Sequence, residues 1–224
     1  MVLIEVQFFG YFEVLCASEA VPLRRNSRAQ TILKWLVINR PQPVSRHYLM
    51  GWLWPESNST KARWSLNSSI YTLRKVLKNT LPAGTDRNVI VQEHGHYFLD
   101  PDICLWVDKD EFERHVALAR RYEKEQRSAE AMASYEAAIK LYGGDYLIED
   151  LYEDWTMIER ERLSRLYLSA LSSLAHYYNS SQHYYESIQL CYGVLQKDRC
   201  NEQARALLEE SYEGLGLHKP VTSV

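Results

Sequence analysis

The sequence lacks any run of roughly 18 uncharged apolar residues, the length that a membrane-spanning helix requires. Its first fifteen residues are apolar, but Glu5, Gln7 and Glu13 interrupt them and no basic segment precedes them, so we predict no secretion signal. There are only four cysteines, and none forms a Cys-x-x-Cys pair. These absences favour a globular cytoplasmic protein with reduced thiols and no membrane partner.

Sequence signatures of common enzymes are also missing. There is no glycine-rich phosphate loop, no nucleophile elbow and no His-Glu-x-x-His helix. His94 and His96 could offer two imidazoles to a metal, but no other histidine or cysteine lies nearby in the sequence, which favours a turn with two polar histidines. The acidic run at 145–154 is interpreted as a helix-entry loop with a solvated face, rather than a cation site or paired catalytic carboxylates. We expect no enzyme, no metal and no cofactor.

Charge is distributed unevenly along the 224 residues. Residues 1–100 contain 12 Lys and Arg against 7 Asp and Glu, a net charge of +5. Residues 101–224 contain 14 against 22, a net charge of −8. A basic half joined to an acidic half predicts that only the first half contacts a polyanion. We expect two domains, at 1–100 and 101–224.

The first half has the element order of a winged helix-turn-helix. Two short strands are predicted at 3–8 and 11–15. Three helices follow, one capped by Ser27, a short one capped by Ser45, and a third at about 61–79. A Leu-Pro-Ala-Gly breaker at 81–84 then leads to a hairpin around 93–96. A bracing helix, a reading helix and a hairpin are the parts that such a DNA-binding domain needs.

The third predicted helix has two contrasting faces. At about 100° per residue, its large apolar side chains form a narrow stripe, which predicts a buried face of Leu66, Ile70, Leu73 and Leu77. No acidic residue occurs between positions 60 and 78. The opposite face and one flank carry basic, polar and aromatic side chains: Lys61, Arg63, Trp64, Asn67, Ser68, Tyr71, Arg74 and Lys75.

This second face has two interpretations. A lone basic helix is usually solvated, but Trp64 and Tyr71 would then expose apolar area at a cost. In a winged helix the same face enters the major groove, where Lys and Arg neutralise phosphates and Ser and Asn bond base edges. We therefore predict that it binds DNA.

Two smaller groups complete the predicted DNA-binding surface. One is basic and begins the first helix, where the helix amides would help to anchor a phosphate; a solvated cap region is the alternative. The other is the tip of the hairpin, which would reach the DNA backbone or an adjacent groove. The basic group comprises Arg24, Arg25 and Arg28, and the hairpin tip comprises His94 and His96.

The second half is helical throughout. Asp108 and Glu111 have the spacing of an N-cap with a capping box. Leu-Ala-Arg-Arg-Tyr at 118–122 is repeated as Leu-Ala-His-Tyr-Tyr at 174–178, and each copy resembles a tetratricopeptide repeat (TPR). Because the 56-residue spacing exceeds the usual 34, an irregular helix pair is expected between the copies. The predicted fold class is an α+β winged helix-turn-helix followed by an all-α TPR-like helical-repeat domain.

Several stretches resemble one family of bacterial regulators. T-K-A-R-W-S-L-N-S-S-I-Y-T-L-R-K-V-L at 60–77 resembles the recognition helix of activators of the antibiotic-regulatory-protein (SARP) type, and P-V-S-R-H-Y-L-M-G-W-L-W-P-E at 43–56 resembles the helix before it. W-V-D-K-D-E-F-E at 106–113 and G-D-Y-L-I-E-D-L-Y-E-D-W at 144–155 are similar to the bacterial transcriptional activation domain, BTAD. Trp64 departs from the family, which usually has a small or polar residue there.

The resemblance implies an OmpR-like winged helix and a TPR-like BTAD. It further implies an activator of transcription that binds short direct repeats near promoters and recruits RNA polymerase, a role that would suit a homo-oligomer. The alternative is a protein-interaction module with a degenerate winged helix that does not bind DNA, as a fragment of a larger regulator. These two hypotheses differ in the dependence of DNA affinity on salt.

Overall fold

The computed structural model describes residues 3–81 and 88–217, except for the side chain of Leu3. The predicted breaker therefore lies outside the described residues apart from Leu81, which follows the third helix. The chain divides into two compact units. The first unit comprises Met1–Val6 and Glu13–Trp106, and the second comprises Gln7–Phe12 and Val107–Val224.

In its described residues, the first unit contains two small sheets and three helices, and the three-stranded sheet is antiparallel. Its strands have the order β3-β2-β1-β7 in one sheet and β4-β6-β5 in the other. The elements in chain order are β1 Leu3–Gln7, β2 Glu13–Cys16, β3 Glu19–Ala20, α1 Arg28–Asn39, β4 Val44–Ser45, α2 Arg46–Leu53, α3 Ser59–Thr80, β5 Ile90–Glu93, β6 His96–Leu99 and β7 Cys104–Val107.

Local capping explains where the helices begin. Ser27 caps α1 as predicted, with its hydroxyl oxygen 3.2 Å from the amide nitrogen of Gln30. Helix α3 starts two residues earlier than expected, because Asn58 rather than a later residue is the N-cap and its side-chain oxygen accepts from the Lys61 amide at 2.9 Å. Ser45 makes no side-chain capping bond.

The hairpin is the wing that the sequence predicted. Strands β5 and β6 are joined by two residues, His94 and Gly95, both in the left-handed region with φ of 47° and 80°. Such a turn matches the twist of the flanking strands and favours glycine at its second position. The short strands β4 and β7 were not predicted, since neither has an alternating pattern long enough to signal a strand.

Besides the segment Gln7–Phe12, the described part of the second unit contains five α-helices and a 3-10 turn at Ile148–Asp150, and consecutive helices pack together. None of the helices in the described ranges is long and apolar enough to cross a membrane. The predicted fold class is confirmed: an α+β winged helix is followed by an all-helical unit. The helices are α4 Asp108–Lys124, α5 Ser128–Leu141, α6 Asp154–Ser180, α7 Tyr184–Lys197 and α8 Glu202–Gly214.

The 56-residue repeat of the sequence is also present in the spacing of the helices. Helices α4 and α6 end 56 residues apart, and α5 and α7 begin and end 56 residues apart. The turn inside each pair contains a left-handed glutamine, Gln126 with φ of 57° and Gln182 with φ of 61°. The prediction of a helix pair between the two copies is wrong. The residues between the copies form only the 3-10 turn and the first part of α6, which continues unbroken into the second copy.

Asp108 does not form the predicted capping box. It is the first residue of α4 and only 4% exposed, and its carboxylate accepts hydrogen bonds from backbone amides in a distant part of the chain. The Phe8 amide lies 2.8 Å from both carboxylate oxygens, and the Phe9 amide lies 2.9 Å from one of them. Glu111 instead pairs with Arg114 at 2.6 Å.

Burial raises the pKa of the Asp108 carboxyl from its ordinary 3.8 to about 6, even though amides of Phe9, Phe8 and Lys109 act in the opposite direction. An ionised carboxylate is costly in this position, and the amides offset only part of that cost. The residue therefore holds the Phe8–Phe9 segment at the expense of some stability.

The segment Gln7–Phe12 pairs with the loop before the 3-10 turn. The Gly10 amide donates to the Asp145 carbonyl at 3.0 Å, and the Leu147 amide donates to the Phe8 carbonyl at 2.9 Å. Gly144 has a φ of 152°, and a Cβ there would stand 3.3 Å from the Gly10 Cα, so a side chain would require the two segments to shift apart. The acidic run is accordingly less solvated than predicted, since Asp150 is buried.

We expect Asp108→Ala to lower the free energy of unfolding by about 2 kcal/mol or more, because it leaves two buried amides without an acceptor. Glu111→Ala should change it by less than about 0.5 kcal/mol, since only a surface ion pair is lost. Urea unfolding followed by circular dichroism measures both. Equal losses in the two variants would indicate a capping box instead.

Candidate nucleic-acid interface

Helix α3 has the two faces that the sequence predicted. Its apolar stripe is buried, with Leu66 and Leu73 fully inaccessible to solvent, and it packs in the core of the first unit beside α1 and α2. The opposite side is open along its whole length. The exposed residues there are Lys61, Arg63, Trp64, Asn67, Ser68, Tyr71 and Lys75.

Two aromatic side chains are exposed on the open face of α3. Trp64 is 73% exposed and Tyr71 is 67% exposed. They are seven residues apart, so they lie on one side of the helix, two turns from each other. Asn67 and Ser68 are the exposed polar residues between them.

Arg74 differs from the other predicted contacts because it is half-buried. Its Nε donates to the carbonyl oxygen of Ile90 at 3.0 Å, which ties α3 to the first strand of the wing. On the other side of the wing, the Arg46 amide donates to the Gly95 carbonyl at 2.9 Å. These two bonds fix the orientation of the wing relative to α2 and α3.

The basic cluster at the start of α1 lies next to α3. Arg24, Arg25 and Arg28 are exposed, as predicted for anchors or for a solvated cap. Arg25 approaches Glu13 at 3.9 Å. Arg24 and Arg28 instead line a groove of about 300 Å³ whose other wall includes Ser68 and Thr72 of α3.

A second groove of about 640 Å³ separates the beginnings of α2 and α3. Arg46 and His47 line it from α2, and Arg63, Trp64 and Asn67 line it from α3. Neither Arg46 nor His47 was predicted from the sequence to contact DNA. The motif itself could have predicted their position, since a basic pair at the start of the bracing helix lies next to the reading helix.

The wing places its two histidines in the open. His94 and His96 are exposed at the hairpin tip, with His96 Nδ1 3.2 Å from the His94 carbonyl oxygen. Among the described residues that line the two grooves beside α3, every side chain is neutral or basic. The arrangement can accept phosphates at the grooves and hydrogen-bond acceptors or donors at the centre of α3.

The model of the "Bacterial transcriptional activator domain" family matches residues 107–218, which is half of the chain. The chain belongs to this family. Together with the fold, the match confirms a transcription regulator of the SARP type. The comparison with curated proteins found no match.

The fold of this BTAD regulator is similar to a solved structure, "Mycobacterium tuberculosis EmbR in complex with low affinity phosphopeptide". The TM-score is 0.78 at 21% sequence identity. The alignment covers 96% of this chain and 56% of the EmbR chain, so the regulator spans about half the length of its structural relative. The similarity establishes a shared fold.

Trp64 should dominate the collisional quenching of tryptophan fluorescence. All six tryptophans lie in the described ranges, and the other five are only partly accessible. We expect iodide to quench the wild-type chain markedly and to quench Trp64→Phe far less. Trp52→Phe is the control and should remain as quenchable as the wild type; a loss of quenching in that variant alone would contradict the exposed position of Trp64.

Proposed function

We propose that the protein is a sequence-specific DNA-binding activator of transcription that acts in the bacterial cytoplasm. The observation that supports this most strongly is the open face of α3, which contains no acidic residue and has a basic groove on each side. Such a face complements the phosphates that flank a major groove. The family resemblance adds direct-repeat sites, on which two or more copies would bind side by side.

Each part of the surface has a proposed role. Asn67 and Ser68 bond base edges from the centre of α3, because they are exposed polar residues and each lines one of the two grooves. Lys61, Arg63 and Lys75 contact phosphates along the same helix, and Arg24 and Arg28 contact them from the start of α1. The wing histidines His94 and His96 reach the backbone beyond.

Two residues of the proposed interface are assigned differently from the rest. Arg74 positions the wing through its bond to the Ile90 carbonyl, so only its terminal nitrogens can face DNA. Arg25 is the weakest candidate in the α1 cluster, because Glu13 partly neutralises it. The division of labour between a DNA-binding domain at 1–100 and a partner-binding domain at 101–224 is part of this proposal.

Phosphate and base contacts predict different responses. Lys75→Ala and Arg28→Ala should weaken binding to all DNA sequences alike and lower the slope of log affinity against log salt by about 1 each. Asn67→Ala should relax the sequence preference, at a cost of about 1–3 kcal/mol at one base pair. Sequence selection followed by gel shifts at several salt concentrations measures these effects.

The matched control for the phosphate variants is Lys124→Ala, which removes the same charge from the exposed end of α4 in the second unit. It should bind like the wild type. If the wild-type affinity does not fall with salt, or if all four variants bind alike, the protein is an interaction module whose winged helix does not bind DNA.

A surface of the second unit has the character of a partner-binding site. Leu151, Tyr152, Met157 and Ile158 are exposed together around the start of α6, with Tyr152 97% and Ile158 84% accessible. Leu151, Met157 and Ile158 line one groove, and clusters of exposed apolar side chains mark protein interaction surfaces. We assign to them the contact with RNA polymerase, because an acidic unit is poorly suited to bind DNA itself.

We expect Ile158→Asp to abolish activation in a purified transcription assay while leaving DNA affinity unchanged, since it places a charge in the apolar surface. Tyr185→Asp is the control: Tyr185 is also exposed but lies on α7, away from the patch in sequence. Activation that survives Ile158→Asp, or that falls equally in both variants, would locate the contact elsewhere.

A further inference from the structure

Trp64 is not accounted for by the contacts proposed so far. Phosphates are bound by cations and base edges by polar groups, whereas an indole ring is largely apolar and has a single N–H donor. Yet the residue is 73% exposed to solvent, which is unfavourable for so large an apolar surface. The exposed ring therefore points to an apolar element in whatever α3 binds.

Its position restricts what that element can be. Trp64 is the sixth residue of the 22-residue helix, in the half that leads into a major groove in this motif. It also lines the groove that contains Arg46 and Arg63. The ring thus stands between cations that suit the sugar-phosphate backbone and the neighbouring Asn67, which suits base edges.

The major groove of DNA offers one apolar group, the C5 methyl of thymine. Adenine, guanine and cytosine present no methyl group there, only hydrogen-bond donors and acceptors and ring C–H edges. An aromatic ring packed on the methyl removes apolar surface from water on both partners, and it does so without leaving a polar group unpaired. A wedge between base pairs is less compatible with this position, because inserted apolar side chains usually enter from the minor groove.

We propose that Trp64 is a specificity-determining residue that recognises a thymine by its C5 methyl group. The proposal rests on the proposed DNA-binding function of α3. It assigns to each half-site at least one position where thymine is required for its methyl group rather than for its hydrogen bonds. Tyr71, two turns further along, is not needed for it.

The test uses the full chain and the DNA sequence that it selects, with each thymidine replaced in turn by deoxyuridine, which lacks only the methyl. For the wild type, we expect about a fourfold loss of affinity at one or two positions, the value of one buried methyl group. Trp64→Ala should bind the thymidine and deoxyuridine forms equally. Trp64→Phe should retain part of the discrimination, because it keeps an apolar ring, and Tyr71→Ala should retain all of it.

A second readout keeps loss of folding apart from loss of recognition. Selected DNA should protect wild-type tryptophan fluorescence from iodide, and the same DNA should leave the small residual quenching of Trp64→Phe unchanged. Circular dichroism of Trp64→Ala should match the wild type, as expected for an exposed side chain.

Two outcomes would overturn the inference while the protein still binds DNA with a steep salt dependence. They are a wild type that is indifferent to deoxyuridine at every position, and a Trp64→Ala variant that discriminates as the wild type does. Absence of any salt-dependent binding to unmodified DNA would instead refute the proposed function.

Discussion

The architecture depends on the buried carboxylate of Asp108, which binds the backbone amides of Phe8 and Phe9. Because of it, six residues at the start of the chain are built into the helical unit, although strands of the first unit precede and follow them. A backbone amide that is taken from water needs an acceptor, and an ionised side chain is a strong one. The cost appears in the raised pKa of that same carboxyl. Removing the acceptor would leave the buried amides of Phe8 and Phe9 without their hydrogen-bond partner.

The same segment contributes much of the aromatic packing of the second unit. Phe9 packs edge-on against Phe112 at 5.2 Å, and Phe8 stacks on Tyr146 at 5.5 Å. Such pairs stabilise beyond the area they bury. The helical unit therefore takes its core from two distant parts of the chain, and a fragment that begins at residue 101 would lack Phe9, which packs against Phe112 of α4. In the first unit, helix α3 contributes one face to the core and leaves the opposite face exposed for a partner.

Periodicity and local chemistry made much of this predictable. The buried stripe of α3, the cap at Ser27, the wing turn at His94-Gly95 and the 56-residue repeat all depend on neighbours within a few residues or on one helix face. For the same reason, the exposed positions of Lys61, Trp64 and Lys75 could be predicted with their opposite apolar face. The proximity of Arg24 and Arg28 to Ser68 and Thr72 could not, because it requires the packing of α1 against α3.

The sequence by itself determined the class of each unit, the helix that carries the candidate interface and which of its faces is open, because side chains three and four residues apart must share a side of a helix. Only the tertiary structure decided the role of Asp108. Its spacing to Glu111 satisfies a capping box, and nothing local distinguishes that arrangement from an acceptor for amides a hundred residues away. Tertiary packing also assigned Arg74 to the wing and Arg46 to the groove. Hydrogen bonds between residues distant in the sequence form only when folding brings those residues together. Burial, which affects the strength of these bonds and raises the pKa of Asp108, also exists only once the chain has folded.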